Sequence, residues 1–199
     1  MPSDEAFIPL PAPVPLLTEV RSALLTSSLL SVRERGHEAR YLTLLDPRYH
    51  DAILYNPAGL WVPLATAEAH YDACDRLQLP PADILSMGNA FGVASARSVF
   101  GIATKLAREG GVTPWTLMQH LPAIWSRIYR GSAIGITKHG PKEGRFEVAG
   151  TPLARFLYWR IALRGICVAV LSPLCRVCHI RELPAYTSAS RVGYRVSWA

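Results

Sequence analysis

Acidic residues are in short supply in this chain. Fifteen Asp and Glu stand against 21 Lys and Arg, a formal charge of +6 at neutral pH. A basic excess of this size favours nucleic acid or an anionic membrane surface as partner. Here the Arg residues are scattered rather than clustered, which argues against a nucleic-acid-binding protein. Long apolar runs are also missing. The most apolar stretch, residues 165–175, is too short to span a bilayer and lies between Arg164 and Arg176, so no transmembrane helix is expected. No secretory leader is expected either. The opening MPSDEAFIPLPAPVPLL begins with acids, and Pro9, Pro11, Pro13 and Pro15 would break any helical leader. Residues 1–16 read instead as a flexible, polyproline-like arm ahead of a single domain, 17–199. Cysteine is limited to Cys74, Cys167, Cys175 and Cys178, and without an export signal the expectation is a cytoplasmic protein with reduced thiols.

Catalytic signatures are equally thin. No Gly-rich phosphate loop and no G-x-S-x-G elbow occur. No nucleophile–base pair or metal constellation stands out, so an enzyme is not expected. One motif does carry chemistry: Cys175-Arg176-Val177-Cys178-His179 spells C-x-x-C-H, the signature of covalent haem attachment. Such attachment needs export. The surrounding CRVCHIREL also reads as a strand, whose alternation would send Cys175 and Cys178 to opposite faces. A second C-x-x-C pair, which zinc would call for, is absent. The expectation is therefore no metal and no cofactor, with haem considered and set aside.

The chain does contain a change of period. Helices are expected over TEVRSALLTSSLLSVRERG, HEARYLTLLD, PLATAEAHYDACDRLQL and residues 82–108. In the last of these Gly88, Gly92 and Ala96 recur every four residues. Glycine costs a helix about 1 kcal/mol relative to Ala, so the spacing implies close approach of another element. TPWTLMQHLPAIWSRIY, begun by Thr113-Pro114, is expected to be a helix buried on most sides and kinked or divided by Pro122. Alternation then takes over: GSAIGITKHG and GRFEVAG form a hairpin around HGPKEG, a long helix follows from Thr151-Pro152, and CRVCHIREL and RVGYRVSWA close the chain as strands. Helices first, then strand-strand-helix-strand-strand, predict an α+β domain with a helical layer on a small antiparallel sheet.

The phrases GVTPWTLMQHLPAIWSRIYRGS, KHGPKEGRFEVAGTPLARFLYWRIALRG and YRVSW, with GHEARYL and EAHYDACD upstream, resemble a myxobacterial paralogous family of uncharacterised proteins. That family is similar in architecture to vinyl-4-reductase-like sensor domains, haem nitric-oxide-binding domains and transport-protein-particle tethering subunits. The resemblance implies a binding or scaffolding module. Haem nitric-oxide sensors carry a Tyr-x-Ser-x-Arg signature; here Tyr186, Ser188 and Arg191 come near it with one residue too many, and His70 or His120 would be the axial candidates.

From the residues alone, a cavity over the sheet would be lined by Trp115, Trp125, Tyr129, Tyr158 and Trp159, with Arg160 holding an acidic head group; otherwise these are core and Arg160 pairs with Glu147 or another acid. Glu143 and Glu147 are expected on a solvated turn, and Lys138, His139, Lys142 and Arg145 as a hydrated hairpin tip. The favoured function is a ligand-sensing or regulatory module acting through homodimerisation, or pairing with a related paralogue, on a small apolar or acidic ligand. The alternatives are a ligand-free interaction scaffold and a basic nucleic-acid binder. A cavity above roughly 300 Å³ beside Trp125 and Trp159 would favour the first over the second.

Overall fold

The computed structural model describes residues 5–57, 59–98 and 113–199, and of residues 95–98 the backbone alone. The supposed arm is part of the sheet. Strand β1, Glu5–Ile8, is free of proline and can join a ladder; its Phe7 ring packs 5.3 Å from Trp115. The proline-rich residues after it lie against the domain: Ser132 N donates to Pro15 O at 3.0 Å, and a Cβ on Gly150 would sit 2.1 Å from that same carbonyl.

The first helix starts later than its sequence suggests. Glu19–Arg21 is strand β2, paired on one side with β3 (Trp61–Pro63) and on the other with β4 (Tyr129–Arg130). Val20 is fully buried there, and this long-range pairing overrides local helical preference. Helix α1 (Ser22–Glu34) buries Leu24, Leu25, Leu29 and Val32. Helices α2 (Glu38–Leu44), α3 (His50–Leu54) and α4 (Leu64–Arg76) follow, then α5 (Pro81–Ser98) and α6 (Pro114–Ser126). The expected helix beyond residue 98, and the side chain of Ala96, lie outside the described residues. A reciprocal Thr113–Thr116 cap starts α6. Pro122 sits inside α6 without dividing it, and Gln119, His120, Ala123 and Ser126 are exposed, so this helix is buried on one face only.

Strands β5 (Ala133–Gly140) and β6 (Glu143–Ala149) form the expected hairpin. A 3-10 turn, Pro152–Arg155, precedes α7 (Leu157–Leu171), whose first amides donate to Asp75 of α4, Leu157 N at 2.9 Å and Tyr158 N at 2.5 Å. The chain closes with β7 (Cys178–Glu182) and β8 (Arg191–Trp198). The order β1-β5-β6-β8-β7 is antiparallel throughout, and Phe146 stands opposite both Ile136 and Tyr194. This is the α+β architecture expected from the change of period.

Two further corrections bear on function. Residues 175–177 lie outside the strand, which begins at Cys178, so strand alternation does not separate the two thiols. The chain also contains an apolar stretch long enough to cross a membrane, Leu157–Leu174, with a mean hydropathy of 1.4 over 18 residues. Here it is the packed central helix, with Tyr158, Trp159, Leu163, Gly165 and Leu171 buried. Helices α5 and α7 touch backbone to backbone. A Cβ on Gly88 would lie 2.1 Å from Ala162 O, and one on Gly165 would lie 2.3 Å from Leu85 O. The glycine spacing read from sequence thus marks a real helix contact.

Candidate functional site

Where α6 and α7 diverge over the sheet, their apolar faces leave a gap. Leu117, Leu121, Ile124 and Ile128 recur at helical spacing along the α6 segment and form one wall; Leu163, Ile166, Cys167 and Val170 of α7 form another. Leu24 of α1 and Phe91 of α5 close the top, and Ile134 and Phe146, on the inner face of the hairpin, make the floor. The cavity measures about 70 Å³. That is below the 300 Å³ set as the mark of a sensor, so any guest in this form is small. A second space of about 30 Å³ adjoins it, sharing Leu24, Phe91 and Ile166 as walls; Ser27, Ser28, Tyr71 and Tyr158 give it polar atoms.

The residues singled out from sequence divide between cavity and framework. Trp125 and Tyr129 stack at 4.0 Å and both line the larger cavity, and Tyr158 lines the smaller. Trp159 is buried behind Tyr129, to whose hydroxyl its Nε1 donates at 3.3 Å. Trp115 stands at the sheet end against Trp198, 4.9 Å between rings, with Nε1 donating to Pro141 O at 2.7 Å. Arg160 points away from the cavity to Glu182, at 3.0 Å, not to Glu147. Sequence reasoning missed Leu24, Phe91, Ser27 and Ser28, because they lie on α1 and α5, far along the chain from the aromatic helices.

The polar cluster that sequence placed on a wet turn is on the other side of the sheet. Phe146 faces the cavity, so its neighbour Glu147 faces away. Glu147 is 4% exposed and pairs with both Arg145 and Arg191. Arg145 also donates to Tyr186 Oη at 3.0 Å and stacks on its ring at 4.0 Å. Tyr186 and Arg191 are thereby held in a structural cluster away from the cavity.

His70 is fully buried, with Nδ1 2.7 Å from Tyr41 Oη and Nε2 3.6 Å from Cys74 Sγ. Desolvation pushes its pKa down to about 3, so the ring is neutral. The same burial pushes the Cys74 thiol and the Tyr41 and Tyr158 hydroxyls well up. Cys167, at the cavity wall, is pushed up to about 12 by desolvation.

A helical layer on an antiparallel sheet is an architecture found among solved structures. An unliganded Fe(II) H-NOX protein from K. algicida matches with a TM-score of 0.60 at 7% identity over 90% of this chain and 96% of that one. A point mutant of it matches at 0.61 and 9% with the same coverage. A structure titled for haem distortion in the H-NOX family matches at 0.51 and 8%, over 89% of this chain and 94% of that one. At such identities the likeness establishes the fold. No family model and no curated protein sequence matches the chain.

These matches overturn the expectation of a cofactor-free protein. That expectation rested on the C-x-x-C-H motif and on a strand that does not form at residues 175–177; two of the matched structures are titled for haem, and haem is the cofactor the matches point to. The cavity nevertheless does not accept a porphyrin in the form described. Cofactor sites run to about 300–1,000 Å³, and no histidine or cation is among the described lining residues. Of side chains able to ligate haem iron, the lining offers Cys167 and Tyr129, both held protonated by burial. His120 is exposed on α6, and residues 99–112 contain no His, Cys, Tyr or Met.

Proposed function

We propose that the protein is a ligand-sensing module in which a small apolar molecule enters the cavity between α6, α7 and the sheet. The observation that carries this reading is the fold shared with H-NOX proteins, in which four helices and the hairpin wall an apolar space smaller than the one the sequence called for. An apolar void of about 150 Å³ takes a benzene; a space half that size suits a guest of about three heavy atoms. The guest would touch α1, α5, α6 and α7 together, so its binding favours one relative placement of those helices over others, which is the requirement for a sensor.

The reading extends to a cytoplasmic, non-enzymatic protein that acts as a homodimer, or with a paralogue of the myxobacterial family it resembles, and whose association changes with the ligand. Sedimentation velocity in buffer with and without dissolved propane tests this. A shift of the monomer–dimer distribution on adding propane is expected. An unchanged distribution at saturating propane contradicts the coupling of cavity to assembly.

A further inference from the structure

We propose that the free edge of β7 is a docking site for an extended, acidic segment of a partner protein, which adds a further strand to the sheet. The site is independent of the cavity, which lies on the other face of that sheet.

The backbone supplies the first half of the argument. Val177 N donates to Ala199 O at 3.3 Å and Ala199 N to Val177 O at 3.0 Å, while Leu183 N donates to Gly193 O at 2.8 Å. Bonded and non-bonded pairs alternate along an antiparallel ladder, so the odd-numbered residues from Val177 to Leu183 turn their backbone groups toward β8. The N–H and C=O groups of Cys178, Ile180 and Glu182 point the other way. Among the described residues no strand lies there, because β7 ends the sheet. Such an edge is a template for another strand.

The side chains select which strand fits. On the face turned away from the cavity, Arg145 of β6 stands opposite Arg195 of β8, and Arg195 stands opposite Arg181 of β7. Like charges directly opposite one another are destabilising, so each guanidinium needs an acid. Arg145 has Glu147, and Arg195 has Glu143 at 2.7 Å. Arg181 is exposed and makes no ion pair or hydrogen bond among the described residues. Two residues along β7, His179 is exposed on the same face. These arginines are dispersed in sequence and meet only in the folded sheet. A strand added beyond β7 sets a side chain about 5 Å from Arg181, and a Glu or Asp there completes the row. Two other occupants fit less well. Antiparallel pairing with the β7 of a second copy about Ile180 sets Arg181 against the partner's His179, with no acid between them. Single-stranded nucleic acid calls for open aromatic rings on which bases stack. The ring over Gly193 on this face, Tyr186, is already stacked on Arg145 at 4.0 Å.

Fluorescence anisotropy of the full chain with a labelled, end-capped peptide of alternating Glu and Val tests the proposal. The peptide is expected to bind about tenfold more tightly than its counterpart with Lys for Glu, and Arg181→Glu should abolish that preference. Arg40→Glu, the same charge change on exposed α2, should leave binding within about twofold, since charges beyond a Debye length are screened. Backbone N-methylation of the peptide removes the ladder donors, keeps the charges, and should abolish binding. Circular dichroism establishes that both variants are folded. No binding of the Glu peptide, equal binding of the Lys peptide, or binding that survives Arg181→Glu or N-methylation overturns the proposal. Tighter binding of a single-stranded oligonucleotide, lost in Arg181→Glu, overturns it as well and makes the face a nucleic-acid site.

Discussion

At the scale of single residues, the buried polar groups make the sharpest predictions. His70 is neutral in the folded protein, with a pKa near 3 against about 6.5 in an unfolded chain. The folded state thus binds fewer protons than the unfolded one between those values. Its full stability is present above pH 6.5 and drains away as pH falls toward 3. From pH 7 to pH 5 this residue accounts for a loss of about 2 kcal/mol. Urea unfolding at the two pH values should show that loss in the unmodified protein and not in His70→Phe; equal losses in both would contradict the assignment. Glu147 offers a second test. Removing it in Glu147→Ala leaves the mostly buried Arg145 without its carboxylate and is expected to cost about 3–5 kcal/mol. Arg195→Ala, which breaks an exposed pair with Glu143 at 2.7 Å, should cost far less by the same measurement.

At the scale of elements, the contact between α5 and α7 is decisive, since both helices wall the cavity. Alanine is the better helix former by about 1 kcal/mol, yet Gly88→Ala would drive a methyl into the Ala162 carbonyl and should destabilise by about 1–3 kcal/mol. Gly140→Ala, where a methyl meets nothing within 4 Å, should change stability by less than about 0.5 kcal/mol. Thermal denaturation of the two variants separates them, and equal effects would mean that α5 and α7 are not in backbone contact. This helix pair was legible in sequence because Gly88 and Gly92 fall on one helical face. The hairpin and β8 were legible from period-two alternation. Strands β1 and β2 were not: four and three residues are too few to show a period, and each exists only because a distant strand pairs with it. The break at residues 175–177 was hidden for a related reason, since CRVCHIREL alternates well enough to pass for a strand from its start.

At the scale of the molecule, the candidate site was half visible. Trp125, Tyr129 and Tyr158 were found through their bulk, but the cavity is defined equally by Leu24, Ser27, Ser28 and Phe91, which nothing in the local sequence ties to them. Only the packing of α1 and α5 across α7 brings those residues together. The net charge of +6 has no counterpart in the cavity, whose described walls carry no cation, so electrostatics belongs to the outer surface and apolar fit to the site. The most direct test is calorimetric titration of dissolved propane into the unmodified protein and into Leu121→Trp, whose larger side chain fills the space from the half-buried edge of α6. Saturable binding of one propane per chain, lost in the folded variant, is the result expected. Absence of binding to the unmodified protein, or equal binding to both, would contradict the cavity as the place where this protein meets its ligand.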